Sequence, residues 1–105
     1  MSEQSFKDVQ GEIVVLTNSV REMILLKHPE TVAFIDALGS VLAAPDEIRR
    51  SIRDERSVLY YRYMPNILGG KWIVAVVKRI DRNYVSTFYA TDQIKSGEVI
   101  WKLNV

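Results

Sequence analysis

The chain has 105 residues, a formal net charge of +1, 48% hydrophobic and 26% charged side chains, and no cysteine. That length and apolar fraction suit a single domain over residues 1–105, with an ordered core expected at about 12–101. The absence of cysteine excludes a disulfide framework and thiolate metal sites, and the apolar runs are too short to span a bilayer as helices.

Residues 1–10 are polar and are expected to fray. No basic patch followed by a long apolar run opens the chain, so no signal peptide is expected and the expected location is the cytoplasm. The β-branched run Glu12-Ile13-Val14-Val15-Leu16 predicts a short strand. Ser19-Val20-Arg21-Glu22 has the form of a capping box at the start of a first helix that runs to about Lys27. His28-Pro29 ends that helix, because the residue before a proline is pushed out of the α region. Pro29 then opens a second helix with Glu30 at its positive end. Val32, Phe34, Ile35, Leu38, Val41 and Leu42 give this helix a wide apolar face. Ala44-Pro45-Asp46 closes it in a turn.

Residues 48–53 fit a helix or a strand equally, since Ile48 and Ile52 share a face in both. Residues 58–63 are aromatic and β-prone, 65–70 form a loop, and 72–79 read as a strong central strand. Asp81-Arg82-Asn83 makes a tight connection to a partner strand over 84–90. Residues 92–97 are read as a turn or short helical piece, with an edge strand at 99–103. The fold class expected from this order is α+β. An N-terminal strand and two helices pack on one face of an antiparallel sheet of about four strands, leaving the other face open.

Residues 1–57 carry seven Lys/Arg against ten Asp/Glu, whereas residues 58–105 carry seven against three. The halves therefore differ in sign, −3 against +4, and the second half can present a local positive field. No phosphate-binding glycine loop, HExxH motif or GxSxG elbow is present. Asp46, Glu47, Asp54 and Glu55 sit among Arg49, Arg50, Arg53 and Arg56, so they read as a solvated, mutually neutralised surface rather than magnesium ligands. No metal or cofactor is expected.

His28 is the sole histidine, and histidine is the side chain suited to proton transfer near neutral pH. At the cap of the second helix it is a candidate base; the alternative is a plain capping or surface residue. Lys78 shares parity with Trp72, Val74 and Val76 and projects from a rigid strand, where a cation can stabilise charge on a phosphoryl group. The alternative, and the commoner role for such a residue, is a lysine snorkelling from a strand end. Thr87 and Tyr89 fall on one face of the next strand. A two-residue loop at Arg82-Asn83 sets Thr87 opposite Lys78, and a three-residue loop sets Ser86 there. Tyr60, Tyr61, Tyr63 and Trp72, interleaved with Arg62, suit either base stacking or cross-strand packing.

Taken in order, Leu26-Lys27-His28-Pro29-Glu30, Ala44-Pro45-Asp46-Glu47-Ile48, Tyr60-Tyr61-Arg62, Val74-Ala75-Val76-Val77-Lys78, Ser86-Thr87-Phe88-Tyr89 and Ile94-Lys95-Ser96-Gly97 resemble small phage- and bacterium-borne domains. These are grouped with the barnase, EndoU, colicin and RelE type ribonucleases, the BECR fold. The resemblance covers roughly residues 12–101 and implies helices on a four-stranded antiparallel sheet. It also implies metal-independent RNA cleavage by 2′-hydroxyl attack in a toxin-like or phage-associated setting. The residues it matches to catalysis are His28 as base or acid, Arg62 and Lys78 as phosphate-stabilising cations, and Thr87 as a positioning hydroxyl. Arg53, Tyr61 and Tyr89 are the candidate substrate-binding residues. RNA is the expected substrate, with a cognate inhibitor or other protein as partner and no membrane association. One departure stands out: related domains often carry a further histidine about a turn before the His-Pro pair, where this chain reads Arg21-Glu22-Met23-Ile24. That departure leaves Glu22 as the nearest substitute, and it keeps open a non-catalytic RNA- or protein-binding module on the same scaffold.

Overall fold

The computed structural model describes residues 3–103. Of the stretch expected to fray, residues 1 and 2 lie outside the described residues. The remainder begins with a strand, β1 (Glu3–Lys7), which pairs antiparallel with β2 (Ile13–Thr17). The connection between them is closed by Asp8, whose carboxylate accepts the Gln10 and Glu12 N–H groups, both at 2.9 Å. α1 (Asn18–Lys27) follows β2 without a loop. Its cap is Thr17 rather than Ser19: the Thr17 Oγ1 accepts the Val20 N–H at 3.2 Å.

The expected second helix is broken into two 3-10 segments, Pro29–Ala33 and Ile35–Ala37, and a short α2 (Leu38–Ala43). Thr31 supplies the local reason, because its hydroxyl donates to the His28 carbonyl at 2.6 Å and competes with a regular α ladder. Phe34 then leaves the helical region at φ −141 to turn its ring into the core.

β3 (Glu47–Ser51), β4 (Ser57–Met64), β5 (Lys71–Arg79), β6 (Asn83–Thr91) and β7 (Gly97–Lys102) complete one sheet of seven strands, ordered β1-β2-β6-β5-β4-β3-β7. This corrects the expected antiparallel sheet of about four strands. The sheet is mixed, because β2 runs parallel to β6 through Val14↔Asn83 and Val15↔Tyr84. The two strands absent from the expectation lack an apolar pattern. β1 buries little beyond part of Phe6, and β3 contributes a single apolar side chain, Ile48, to the core. Both are strands because of the neighbours they pair with, which no local pattern reports.

The helices cover one face, where Ile24, Phe34, Leu38, Val41 and Leu42 meet Val14, Leu16, Ile73, Ala75, Val77 and Phe88. Tyr60 is fully buried in this layer. Its hydroxyl donates to the buried Asp8 carboxylate and accepts from Arg79 Nη2 at 3.1 Å, which ties the β1–β2 hairpin to the sheet centre. Burial first, then the Asp8 hydrogen bond, holds this phenol protonated far above its ordinary range. Among the described residues no helix is long and apolar enough to cross a membrane.

Candidate functional site

The opposite, open face is set by the register of the three central strands. Three cross-strand rows point outward: Ser57–Lys78–Tyr84, Leu59–Val76–Thr87 and Tyr61–Val74–Tyr89. Neither register considered for Lys78 occurs. The connection is the three residues Ile80 to Arg82, with Arg79 opposite Asn83 and Lys78 opposite Tyr84. A bulge between Val76 and Val77 then leaves Ser86 as the extra residue of β6. Its consequence is geometric: Val85 and Phe88 both face the core, while Tyr84, Thr87 and Tyr89 face outward with Lys78.

His28 reaches this face around the edge of β6. β2 pairs with β6 through two residue pairs, and α1 then takes over the flank of β6. The His28 N–H closes α1 on the Ile24 carbonyl at 2.8 Å, and Pro29 prevents the helix from continuing. The imidazole stacks on Tyr89 with ring centroids 5.7 Å apart and planes inclined by 29°. Its Nδ1 lies 3.8 Å from Glu30 Oε2, and the side chain is about one-third exposed. The expected cap of a long second helix is thus the C-terminal cap of α1 followed by a five-residue 3-10 segment.

The link from β6 to β7 matters as much. β7 lies on the far side of β5, β4 and β3, so residues 92–96 must cross them. This strap runs over the open face: Ile94 packs on Leu59, Tyr61 and Val74. Lys95 is held at both backbone groups. Its N–H donates to the Tyr61 hydroxyl at 3.2 Å, and its carbonyl accepts from Arg49 Nη1 at 3.2 Å. Arg49 is itself oriented by an ion pair with Glu47, a carboxylate that is 6% exposed. Glu47 is therefore a buried anchor rather than part of a solvated acidic surface. The Lys95 ammonium lies 5.5 Å from the Tyr89 ring centroid.

Between the strap, the 51–57 segment and β6 lies a concavity of about 860 Å3. His28, Arg53, Thr87, Tyr89 and Lys95 line it, with the hydroxyls of Ser51, Ser57, Thr91 and Ser96. No carboxylate is among the lining residues. Arg53 and Lys95 take part in no ion pair among the described residues. Burial raises the Tyr89 phenol above its ordinary range, so its hydroxyl is a donor at neutral pH.

The remaining sequence candidates are dispersed. Lys78 shares the face but stands outside the lining, its ammonium 3.1 Å from Asp54 Oδ2. Asp54 also accepts the Arg56 N–H and the Ser57 hydroxyl, each at 3.0 Å. The Arg56 backbone bond, then Lys78 and Ser57, hold this carboxyl down at about 2. Tyr61 is fully buried beneath the strap, where its hydroxyl positions Lys95. Arg62 points to the other face of the sheet and donates to the Ser40 and Ala44 carbonyls at 3.4 and 3.2 Å, at the C-terminal end of α2. It does not join His28 and Thr87. Glu22, exposed on α1, does not line the concavity. Lys95 is the site residue missed by sequence reading; its signal was the segment Ile94-Lys95-Ser96-Gly97, whose crossing position depends on strand order. No family model, curated protein or solved structure matches this chain.

Proposed function

We propose that this chain is a metal-independent endoribonuclease-like domain, acting on cytoplasmic RNA in a toxin-like or phage-associated setting. The observation that carries the reading is the lining of the concavity. The sole histidine, two cations outside any described ion pair and several hydroxyls converge there with no carboxylate among them. Such a surface attracts a phosphodiester and gives it one proton-transfer group. The ordered resemblance to BECR ribonucleases supports the same choice.

In the proposed reaction His28 takes the proton of a 2′-hydroxyl, and that oxygen attacks the adjacent phosphorus. Thr87 and Tyr89 donate hydrogen bonds that orient the phosphate, and the nearby cations offset its growing charge. The bond to the 5′-oxygen breaks, leaving a 2′,3′-cyclic phosphate. With no second histidine, the departing oxygen takes its proton from water, so turnover is slow. Incubating the protein with tRNA or rRNA in EDTA and assaying cyclic-phosphate ends tests this. The ends should form with wild-type protein and vanish with His28→Ala. Absence of cleavage, or cleavage indifferent to His28→Ala, refutes the enzyme.

One observation favours a second reading, a non-catalytic RNA-binding module. Neither a second histidine nor a carboxylate lines the concavity to supply the second proton transfer, Glu22 included. Salt-dependent RNA binding without cyclic-phosphate products would select it.

A further inference from the structure

We propose that Lys95, delivered by the strap between β6 and β7, is the phosphate ligand of this site, in the role that the sequence resemblance assigned to Arg62. The inference rests on the reading of the concavity as an RNA site. Arg62 is committed elsewhere, to the carbonyls of Ser40 and Ala44 on the helix side of the sheet. Lys78 is partly neutralised by Asp54. Lys95 has neither constraint, and its position is unusually determined for a residue outside regular structure.

Tyr61 and Arg49 grip its N–H and carbonyl from the sheet beneath, and the buried Glu47 orients Arg49. The neighbouring Ile94 side chain is half-buried against the apolar cluster of Leu59, Tyr61 and Val74. At the other end of the strap, Gly97 approaches the Arg50 carbonyl so closely that a Cβ there would clash with the oxygen. A surface lysine normally loses much of its electrostatic gain to side-chain entropy and hydration. Here the backbone is fixed, and the ammonium rests over the same Tyr89 ring on which His28 stacks, at 5.5 Å and 5.7 Å respectively. Both side chains line the same concavity, so a phosphodiester bound there has His28 and Lys95 on its walls. The clamp residues Glu47, Arg49 and Tyr61 are positioning residues, since they act through the strap backbone.

The experiment measures binding of a short, uncleavable 2′-O-methyl oligoribonucleotide by fluorescence anisotropy over a salt series, so it does not depend on turnover. Each phosphate contact on a single strand contributes about 0.7 to the slope of log K against log salt. Lys95→Gln should lower the slope by about that amount, and Lys95→Arg should restore it. Arg62→Gln should leave the slope unchanged while reducing thermal stability. Tyr61→Phe keeps the charge, so it should retain the slope but weaken binding by about threefold through a looser strap. An unchanged slope in folded Lys95→Gln protein, or a reduced one in Arg62→Gln, overturns the assignment of Lys95 alone. Failure of the wild-type protein to bind at low salt overturns the RNA-site reading and the assignment with it.

Discussion

Arg49→Gln puts the strap clamp under the most direct stress. The Arg49 Nε donates to Glu47, and its Nη1 holds the Lys95 carbonyl. The Glu47 side chain is 8% exposed and that of Arg49 is 25% exposed, so the substitution strands a carboxylate with little access to water. Breaking a buried pair from one side costs about 3–5 kcal/mol. Partial exposure of Arg49 puts the expectation near the lower end, at about 3 kcal/mol including the lost strap hydrogen bond. For 105 residues, an unfolding entropy of about 2.1 cal/mol/K per residue turns that loss into a fall in Tm of roughly 14 °C. Thermal and urea unfolding followed by circular dichroism measure it. The Glu47→Gln/Arg49→Gln double variant should recover a substantial part of the loss, because the stranded charge is gone. A single-variant loss below about 1 kcal/mol, or a double variant no more stable than the single, would refute a charge-anchored clamp.

Gly97→Ala should cost about 2–3 kcal/mol in urea unfolding, since the new Cβ meets the Arg50 backbone oxygen rather than a movable side chain. Gly69→Ala is the comparison: with nothing near its Cβ, it should cost only about 1 kcal/mol, from the strain of a side chain at φ +76. Tyr60→Phe removes the donor to buried Asp8 and should cost about 1.5–3 kcal/mol, with oligonucleotide binding intact because the hydroxyl lies on the helix face. Asp54 titrates at about 2 in the folded protein against 3.8 ordinarily, so its stabilising contribution is full above that ordinary value and disappears as the pH falls from 3.8 towards 2. Urea midpoints measured across that window should fall less steeply for Asp54→Asn than for the wild type; parallel curves would refute the assignment.

The strong central strands were legible because their residues carry the signal themselves: β-branched and aromatic runs at 58–63, 72–79 and 84–90, bounded by turn formers. Alternation puts Thr87 and Tyr89 on one face of a strand and the His-Pro pair puts His28 at a helix end, but neither says that His28 reaches this face. What escaped depends on partners distant in sequence. Glu3–Lys7 and Glu47–Ser51 are strands by pairing, and parallel contact between β2 and β6 has no local pattern at all. Arg62 illustrates the limit of parity. β4 is apolar on both faces, with Val58 and Tyr60 on one and Leu59 and Tyr61 on the other, so alternation does not say which face meets the helices. The bulge at Ser86 is similarly silent, yet it decides which face Thr87 presents.

The site divides into a floor and a rim with different physical roles. Thr87 and Tyr89 sit on a central strand, each directly opposite a β5 residue, and the bulge fixes their direction. The reactive and charged groups come from chain that has left the sheet: His28 at the C-terminal cap of α1, Arg53 in the turn after β3, and Lys95 in the strap. Under the proposed function, a rigid face would set the geometry of the phosphate, and short connecting segments would supply what reacts with it or attracts it. The arrangement makes the two kinds of substitution separable. Changes at His28, Arg53 or Lys95 alter the proton-transfer group or the charge at exposed or half-exposed positions. Changes to the residues beneath them, Tyr61 above all, act first on where the strap lies and only through it on the ligand.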